Sequence, residues 1–179
     1  TGARPGRRYL AVVPFHHANG FANGLLMPLL TGGVCVMARH ALPAALAACI
    51  RRERIEVLNL SPFLYSLLAS HGAAPEDCAS VEIFLSSGAP LPAGLAALWR
   101  ERFGRPIRQL YGSTETGTIA IQAEDPAADV AGSVGRPLGP VEVRILGPEG
   151  APLPAGCRMD SARQSALGFR GRPAEAGTT

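Results

Sequence analysis

One stretch of this sequence, Tyr111-Gly-Ser-Thr-Glu115, concentrates side chains that can handle phosphate and a hard cation. The Tyr111 ring can lie against a flat base, and the Thr114 hydroxyl can donate a hydrogen bond to a phosphate oxygen. The Glu115 carboxylate is the kind of ligand that Mg²⁺ takes in proteins, and backbone N–H groups near the glycines add affinity for an anion. A polar loop in which Thr and Glu cap a helix explains the same residues. From these residues alone the two interpretations are equally supported.

Two further stretches place small and polar residues directly after apolar runs. In residues 14–20, Pro-Phe-His-His-Ala-Asn-Gly, His17 and Asn19 could line a substrate cavity, and Gly20 would let a ligand approach the backbone. Adjacent histidines on an extended chain point to opposite sides, so at most one faces a pocket. A structural role is favoured for them. Residues 86–91, Ser-Ser-Gly-Ala-Pro-Leu, leave room for a planar ligand, although taken alone an ordinary connecting loop is the simpler interpretation.

Several classes of protein are disfavoured by the sequence. It has no GxxxxGK[ST] phosphate loop, no GxGxxG after the first predicted strand and no GxSxG turn. The content of 47% apolar and 17% charged residues predicts a folded chain. The net charge of +3 comes from scattered arginines, which argues against nucleic acid as a partner.

The cysteines and the apolar stretches indicate a cytoplasmic protein. Four cysteines stand far apart, without a CxxC pair or a zinc-type Cys/His spacing, and we expect reduced thiols: Cys35, Cys49, Cys78 and Cys157. No signal peptide is recognised. The longest apolar stretch, residues 25–37, is interrupted by Pro28 and by a Thr-Gly-Gly sequence, so we expect no membrane span.

Strand and helix patterns alternate along the first two thirds of the chain. Strands are predicted over residues 9–13, 34–37, 55–60, 81–85 and 107–111, and helices over residues 21–30, 43–54, 62–70 and 92–103. Such alternation predicts an α/β fold with a mostly parallel sheet and helices on both faces. Ligands bind such sheets beyond the carboxyl ends of the strands, where the three polar stretches fall.

The pattern changes after about Gln122. Residues 141–146 alternate apolar with polar side chains, which is typical of a half-exposed antiparallel strand. We therefore predict an α/β subdomain over residues 1–131, followed by the start of a small β-rich subdomain over residues 132–179.

Taken in order, these stretches resemble the adenylate-forming superfamily of acyl-CoA synthetases, adenylation domains and luciferases. Residues 14–20 resemble its Pro-Leu-Phe-His motif, with the motif's histidine at His17, and residues 86–91 resemble Ser-Gly-Gly-Ala-Pro-Leu. Residues 111–115 match Tyr-Gly-x-Thr-Glu without change. Residues 132–137 and 141–146 resemble the segment that follows, so that the likeness extends over about residues 9–171.

The resemblance implies attack of a carboxylate on the α-phosphorus of ATP, giving acyl-AMP and pyrophosphate, and then transfer of the acyl group to a thiol. It implies that the adenine lies between the segment Gly88-Ala89-Pro90 and the Tyr111 ring, with its exocyclic amine near Gln109. Gly112 and Ser113 are the other nucleotide contacts that it implies. It implies catalytic residues: Thr114 at the α-phosphate, Glu115 at Mg²⁺, and His17. It implies a border to the acyl pocket: His17, Asn19, Gly20 and Ser87.

Two departures from the family's pattern bear on the substrate. Ser87 replaces the first glycine of the Gly-Gly pair, which narrows the pocket and favours a small or short acid. Amino-acid-activating members have an Asp near the start of the His motif, and no acidic residue occurs between Tyr9 and Gly24. We therefore expect a simple small carboxylic acid. The thiol acceptor, CoA or the phosphopantetheine of an acyl carrier protein, stays open.

Other parts of the family's pattern are not found. The loop with a lysine for the outer phosphates should precede the His motif, and the ribose-binding Asp and the mobile carboxyl-terminal domain with its catalytic lysine should follow. Residues 165–171 resemble the approach to that Asp. Both ends are interpreted as cut, so we expect a fragment that makes no acyl-AMP alone. A split or decayed relative that acts as a binding or structural module is the alternative. Nothing marks the oxygen-handling pocket of a luciferase-like member.

Overall fold

The computed structural model describes residues 4–71, 73–123, 132–139, 141–147 and 149–153. The chain divides into two compact units between Arg136 and Pro137. Cys157 and the stretch 165–171 lie outside the described residues. Of the predicted boundary at residues 131/132, only residue 132 is described. No helix in the described part is long and apolar enough to cross a membrane.

The first unit is built on a mostly parallel sheet. Its strands, with a two-residue strand at the division between the units, are β1 (Arg8–Ala11), β2 (Val34–Met37), β3 (Val57–Leu60), β4 (Ile83–Ser86), β5 (Ile107–Ser113), β6 (Gly117–Ile121) and β7 (Arg136–Pro137). In the first unit the strands are ordered β2-β1-β3-β4-β5-β6. Pairings among β1 to β5 are parallel, and β6 runs antiparallel to β5. The predicted α/β class with a mostly parallel sheet is confirmed.

Helices connect the parallel strands. A π-helical segment (Gly20–Leu26) continues into α1 (Met27–Thr31), followed by α2 (Pro43–Arg52), α3 (Pro62–Ser70), a 3₁₀ turn (Pro75–Cys78) and α4 (Ala93–Phe103). Prolines open α2 and α3, where a missing N–H costs nothing. The Ser61 hydroxyl accepts a hydrogen bond from Leu64 N at 3.4 Å, and Gly104, with a φ of 72°, ends α4.

The strand order reverses after β2. The chain leaves β1 for the edge strand β2, then crosses back over β1 to β3 and continues outward through β4 and β5. Right-handed crossovers therefore put α1 on one face of the sheet and α2, α3 and α4 on the other. Contacts of α3 with both α2 and α4 agree with this arrangement.

Aromatic packing fills the core beneath α3 and α4. Trp99 is fully buried, stacks on Phe103 at a centroid distance of 4.0 Å, and meets Tyr65 and Phe84 edge-on at 4.7 and 5.4 Å. The Tyr65 hydroxyl reaches the carbonyl oxygens of Leu58 at 2.8 Å and Leu85 at 2.9 Å. One phenol thus ties α3 to two adjacent strands.

Two segments differ from the prediction. No element was predicted for residues 118–121, yet Gly117–Ile121 form β6 and make a hairpin with β5, whose predicted end at Tyr111 extends to Ser113. A Cβ on Gly112 would lie 2.1 Å from Gly117 O, so only glycine allows the two strands this close. The predicted strand over residues 141–146 is wrong: its described residues form a single antiparallel bridge, Leu146 to Pro152.

Candidate functional site

The reversal of strand order fixes where a ligand can bind. Helices leave β1 and β3 towards opposite faces of the sheet, which opens a crevice beyond the carboxyl ends of these two strands. The loop after β1 carries His17 and Asn19, the loop after β4 carries Ser87 and Gly88, and β5 ends in the hairpin that contains Thr114. The three stretches that the sequence singled out therefore meet at one edge.

A cavity of about 370 Å³ occupies this crevice. Eight of the predicted site residues line it: His17, Asn19, Ser87, Gly88, Tyr111, Gly112, Ser113 and Thr114. Among the other lining residues, Ala22 and Asn23 come from the π-helical segment, Ser61 caps α3, and Thr118 stands on β6. The volume is within the range of small-molecule sites, about 300–1,000 Å³.

Five predicted site residues do not line the cavity: Gly20, Ala89, Pro90, Gln109 and Glu115. Gly20 is buried against the preceding turn, where a Cβ would lie 2.3 Å from Pro14 O. Gln109 Oε1 accepts a hydrogen bond from Leu91 N at 2.8 Å. In this structure Gln109 therefore anchors the loop after β4. Ala89 and Pro90 are exposed on that loop, and Glu115 is exposed at the tip of the hairpin.

The loop after β1 turns sharply at its histidines. His17 N donates to Pro14 O at 3.0 Å, Phe21 N donates to His17 O at 2.9 Å, and the His16 and His17 rings lie 4.6 Å apart. The chain is folded here, so the extended-chain geometry assumed from the sequence is wrong. The expectation that at most one of the two histidines faces a pocket agrees with the structure, since His17 lines the cavity and His16 does not.

An amide cluster on one side of the cavity was missed by the sequence reasoning. Asn19 Oδ1 accepts hydrogen bonds from Asn23 Nδ2 at 2.8 Å and from Asn59 Nδ2 at 2.9 Å. The Ser87 hydroxyl donates to Asn59 Oδ1 at 3.2 Å. Two signals could have revealed it: Asn23 follows Asn19 by four residues, one helical turn, and Asn59 interrupts the apolar strand β3.

The hairpin tip holds its carboxylate in the charged form. Ser113 N and the Ser113 hydroxyl contact Thr116 Oγ1 at 3.2 and 3.0 Å, which closes the turn. A hydrogen bond from the Ser113 side chain lowers the pKa of the exposed Glu115, and its own backbone N–H adds to the effect. Within the described ranges no three His, Cys, Asp or Glu side chains form a metal-binding group. A cation at Glu115 would therefore take its remaining ligands from substrate, water or residues outside the described ranges.

No lysine or arginine side chain lies among the described residues that line this cavity. The sequence contains no lysine, and none of its arginines is among the described lining residues. Two larger cavities, of about 530 and 590 Å³, are instead lined by arginine and glutamate side chains near the amino-terminal ends of the strands. There Arg7 pairs with Glu82, and Arg8 pairs with Glu53 at 2.9 Å. The described lining of the cavity thus offers hydroxyls, amides, the His17 imidazole and the Tyr111 ring.

Comparison with known proteins agrees with this geometry. A family model described as AMP-binding enzyme matches residues 1–158. Feruloyl-CoA synthase of Amycolatopsis sp is 31% identical over 171 residues, which cover 93% of this chain and 35% of that protein. Apo MatB from Rhodopseudomonas palustris aligns with a TM-score of 0.80 at 26% identity, covering 86% of this chain and 30% of that one. Amide bond synthetase McbA from Marinactinospora thermotolerans aligns with a TM-score of 0.77 at 34% identity, covering 87% of this chain and 32% of that one.

The chain therefore spans about a third of the length of these relatives. The family model covers most of the 179 residues, and the motifs that carry the resemblance stand in the order that the family requires. The chain belongs to the AMP-binding enzyme family.

Proposed function

We propose that the chain supplies part of the active site of an ATP-dependent, carboxylate-activating enzyme. The enzyme forms acyl-AMP and pyrophosphate and then passes the acyl group to a thiol. One observation carries the proposal: the loops after β1 and β4 and the β5–β6 hairpin converge on one cavity in a chain of the AMP-binding family. The curated relatives, among them a feruloyl-CoA synthase and a medium-chain fatty-acid–CoA ligase, are named for CoA chemistry.

The nucleotide side of the cavity is assigned to β5 and the loop after β4. The Tyr111 ring and the open backbone at Gly88 would hold the adenine. Gly88 has a φ of 87° and no atom within 4 Å of a hypothetical Cβ, so a flat ring can lie against its backbone. Gly112 and Ser113 would border the phosphates, and the exposed Thr114 hydroxyl would donate to the α-phosphate.

Glu115 fits a divalent cation by its chemistry. Its carboxylate is exposed, and the Ser113 side chain lowers its pKa, so the group is ionised at neutral pH. Mg²⁺ held there would neutralise phosphate charge. The acyl side is assigned to His17, Asn19 and Ser87, which line the same cavity. Gly20 and Gln109, which lie outside the lining of the cavity, shape the loops after β1 and β4.

Activity is proposed for the full-length gene product and not for the 179 residues alone. The described cavity has no arginine, and the sequence has no lysine, whereas a triphosphate needs cations to offset its charge. The chain also covers only 35% of the feruloyl-CoA synthase relative. We expect no ATP–pyrophosphate exchange from the isolated chain.

CoA is the proposed acceptor, because the relatives are CoA ligases and synthases. The phosphopantetheine of an acyl carrier protein is the second acceptor. The three described cysteines are free thiols, which supports a reducing compartment such as the cytoplasm.

The test is ATP–pyrophosphate exchange by the full-length gene product with aliphatic, dicarboxylic and aryl acids, followed by thioester formation with CoA. Replacing Thr114 by Ala should lower kcat by about tenfold or more, because a hydrogen bond to a charged phosphate is lost. Ser80→Ala is the matched control, since its hydroxyl donates to Ile55 O at 2.8 Å outside the cavity. Nucleotide binding without exchange for any acid would favour the non-catalytic binding module.

A further inference from the structure

Four polar side chains form a continuous hydrogen-bonded row beside the cavity. The asparagine row consists of Asn23, Asn19, Asn59 and Ser87, joined by contacts of 2.8, 2.9 and 3.2 Å. Asn23 comes from the π-helical segment, Asn59 from β3 and Ser87 from the loop that follows β4. The row therefore crosses three elements on both sides of the crevice opened by the strand reversal.

Each bond in the row runs from an amide or hydroxyl donor to an amide oxygen. Because Asn19 Oδ1 accepts from both Asn23 Nδ2 and Asn59 Nδ2, the oxygen of Asn19 is fully engaged. The Asn19 Nδ2 group is left with its two N–H donors and has no partner within the described part of the chain. Asn19 lines the cavity, so this donor is available to a ligand.

An unpaired donor beside a bound ligand discriminates by chemical type. A hydrocarbon placed against Asn19 would displace water from its amide without replacing the lost hydrogen bond, which costs binding free energy. A ligand oxygen would restore that bond. A second carboxylate would be disfavoured, because no arginine lines the described cavity to offset its charge.

We propose that the asparagine row selects the acyl group, which rests on the proposed function of carboxylate activation. The selected substrate is a small carboxylic acid whose acyl or aryl part carries a neutral oxygen acceptor such as a hydroxyl, ether or keto group. Asn19 contacts this oxygen, and Asn23 and Asn59 are positioning residues that hold the Asn19 amide in its orientation. Ser87 fills space at the cavity wall and holds Asn59.

Matched pairs of acids test the selection in the full-length gene product. ATP–pyrophosphate exchange is compared for 4-hydroxybenzoate against 4-methylbenzoate and for 4-hydroxybutanoate against pentanoate. Terephthalate, which carries a second carboxylate in place of the 4-hydroxyl group, tests the effect of added negative charge. The hydroxylated acid should have the higher kcat/KM by about tenfold in at least one pair, the effect of one net hydrogen bond. Equal or better use of the methyl acid in both pairs, or preference for terephthalate, would overturn the selection.

Variants of the row distinguish a loss of Asn19 positioning from a general loss of activity. Asn23→Leu and Asn59→Leu should raise KM for the hydroxylated acid more than KM for the methyl acid, so that the ratio of the two kcat/KM values falls towards one. Asn23→Gln keeps an amide and should retain part of the preference. Ser80→Ala, outside the row, should keep the full preference. A preference unchanged in both leucine variants would refute the row's role.

Binding measurements keep this inference distinct from the proposed function. Non-hydrolysable acyl-sulfamoyl adenosines carrying the 4-hydroxybenzoyl or 4-methylbenzoyl group are titrated into the full-length gene product by calorimetry. Tighter binding of the hydroxylated analogue supports the row even if no acid gives exchange, an outcome that would defeat only the catalytic proposal. Equal binding with normal exchange would defeat only the row, and binding of neither analogue would defeat both.

Discussion

Gly20 stands where the loop after β1 enters its helix, and replacing it with Ala should destabilise the chain. An added Cβ would lie 2.3 Å from Pro14 O, 2.5 Å from Val13 O and 2.8 Å from the Pro14 carbonyl carbon. All three are backbone atoms, which cannot rotate away as the end of a flexible side chain can. The turn itself must move, and the same Pro14 oxygen accepts the hydrogen bond from His17 N.

The magnitude follows from two opposing effects. Overpacking a tight site costs about 1–3 kcal/mol, and this contact, well inside normal separation, belongs at the upper end. Replacing glycine by alanine in a helical segment returns about 0.5–1 kcal/mol. The free energy of unfolding of Gly20→Ala should therefore fall by about 2 kcal/mol, and the His17 turn should shift with it.

Urea unfolding of the chain, followed by fluorescence, measures this change. Trp99 is the sole tryptophan and is fully buried, so its emission reports the folded core. Gly94→Ala is the matched control, because Gly94 lies in α4 with no atom within 4 Å of a hypothetical Cβ. Its stability should be unchanged or higher by up to about 1 kcal/mol. Equal stability of the two variants would refute the reasoning from close approach.

Three further predictions concern single side chains. Ser113→Ala should raise the pKa of Glu115 towards that of an ordinary glutamate, as followed by carboxyl NMR shifts against pH. The folded-state stabilisation from this carboxylate, complete above the ordinary pKa of glutamate and lost as pH falls through the lowered value, should shrink accordingly. Tyr65→Phe should lower the free energy of unfolding by about 1–2 kcal/mol, because the carbonyl oxygens of Leu58 and Leu85 lose the single O–H proton that they share. Cys78, whose pKa burial raises to about 12, should resist alkylation at pH 8 in the folded chain.

Each of these has a contrary outcome. An unchanged Glu115 titration in Ser113→Ala would mean that the hairpin hydrogen bond does not form in solution. Wild-type stability of Tyr65→Phe would mean that water satisfies the two carbonyls. Alkylation of Cys78 as fast as in urea would mean that the 3₁₀ turn opens readily, whereas the half-buried Cys35 and Cys49 serve as internal comparisons.

The parallel strands could be predicted because each is a short apolar run between turn-forming residues. Helix starts were equally clear where proline follows a polar or loop residue, as at Pro43 and Pro62. The hairpin was missed for a physical reason. Strand β6 has only five residues, and its pairing with β5 depends on the close approach of Gly112 to Gly117, which no local pattern reveals.

The sequence pointed to polar residues that follow a strand and passed over those that interrupt an apolar element. His17, Ser87 and Thr114 were identified because loops at strand ends collect ligands. Asn59 lies within the predicted strand 55–60, and no role at the site was predicted for it. Its partner Asn19 is 40 residues away, so their contact depends on the parallel neighbours β1 and β3.

Charge is divided between the two ends of the sheet, and this division connects the fold with the incomplete site. Described arginines near the amino-terminal ends of the strands, such as Arg7 and Arg8, are paired with glutamates from neighbouring elements. These arginines form ion pairs at the amino-terminal ends of the strands, so they do not offset charge at the opposite edge of the sheet. The described cavity is left with neutral donors, which suit a base and an oxygen-bearing acyl group. In the proposed reaction, the charge of the triphosphate must therefore be offset by a bound cation or by residues outside the described ranges.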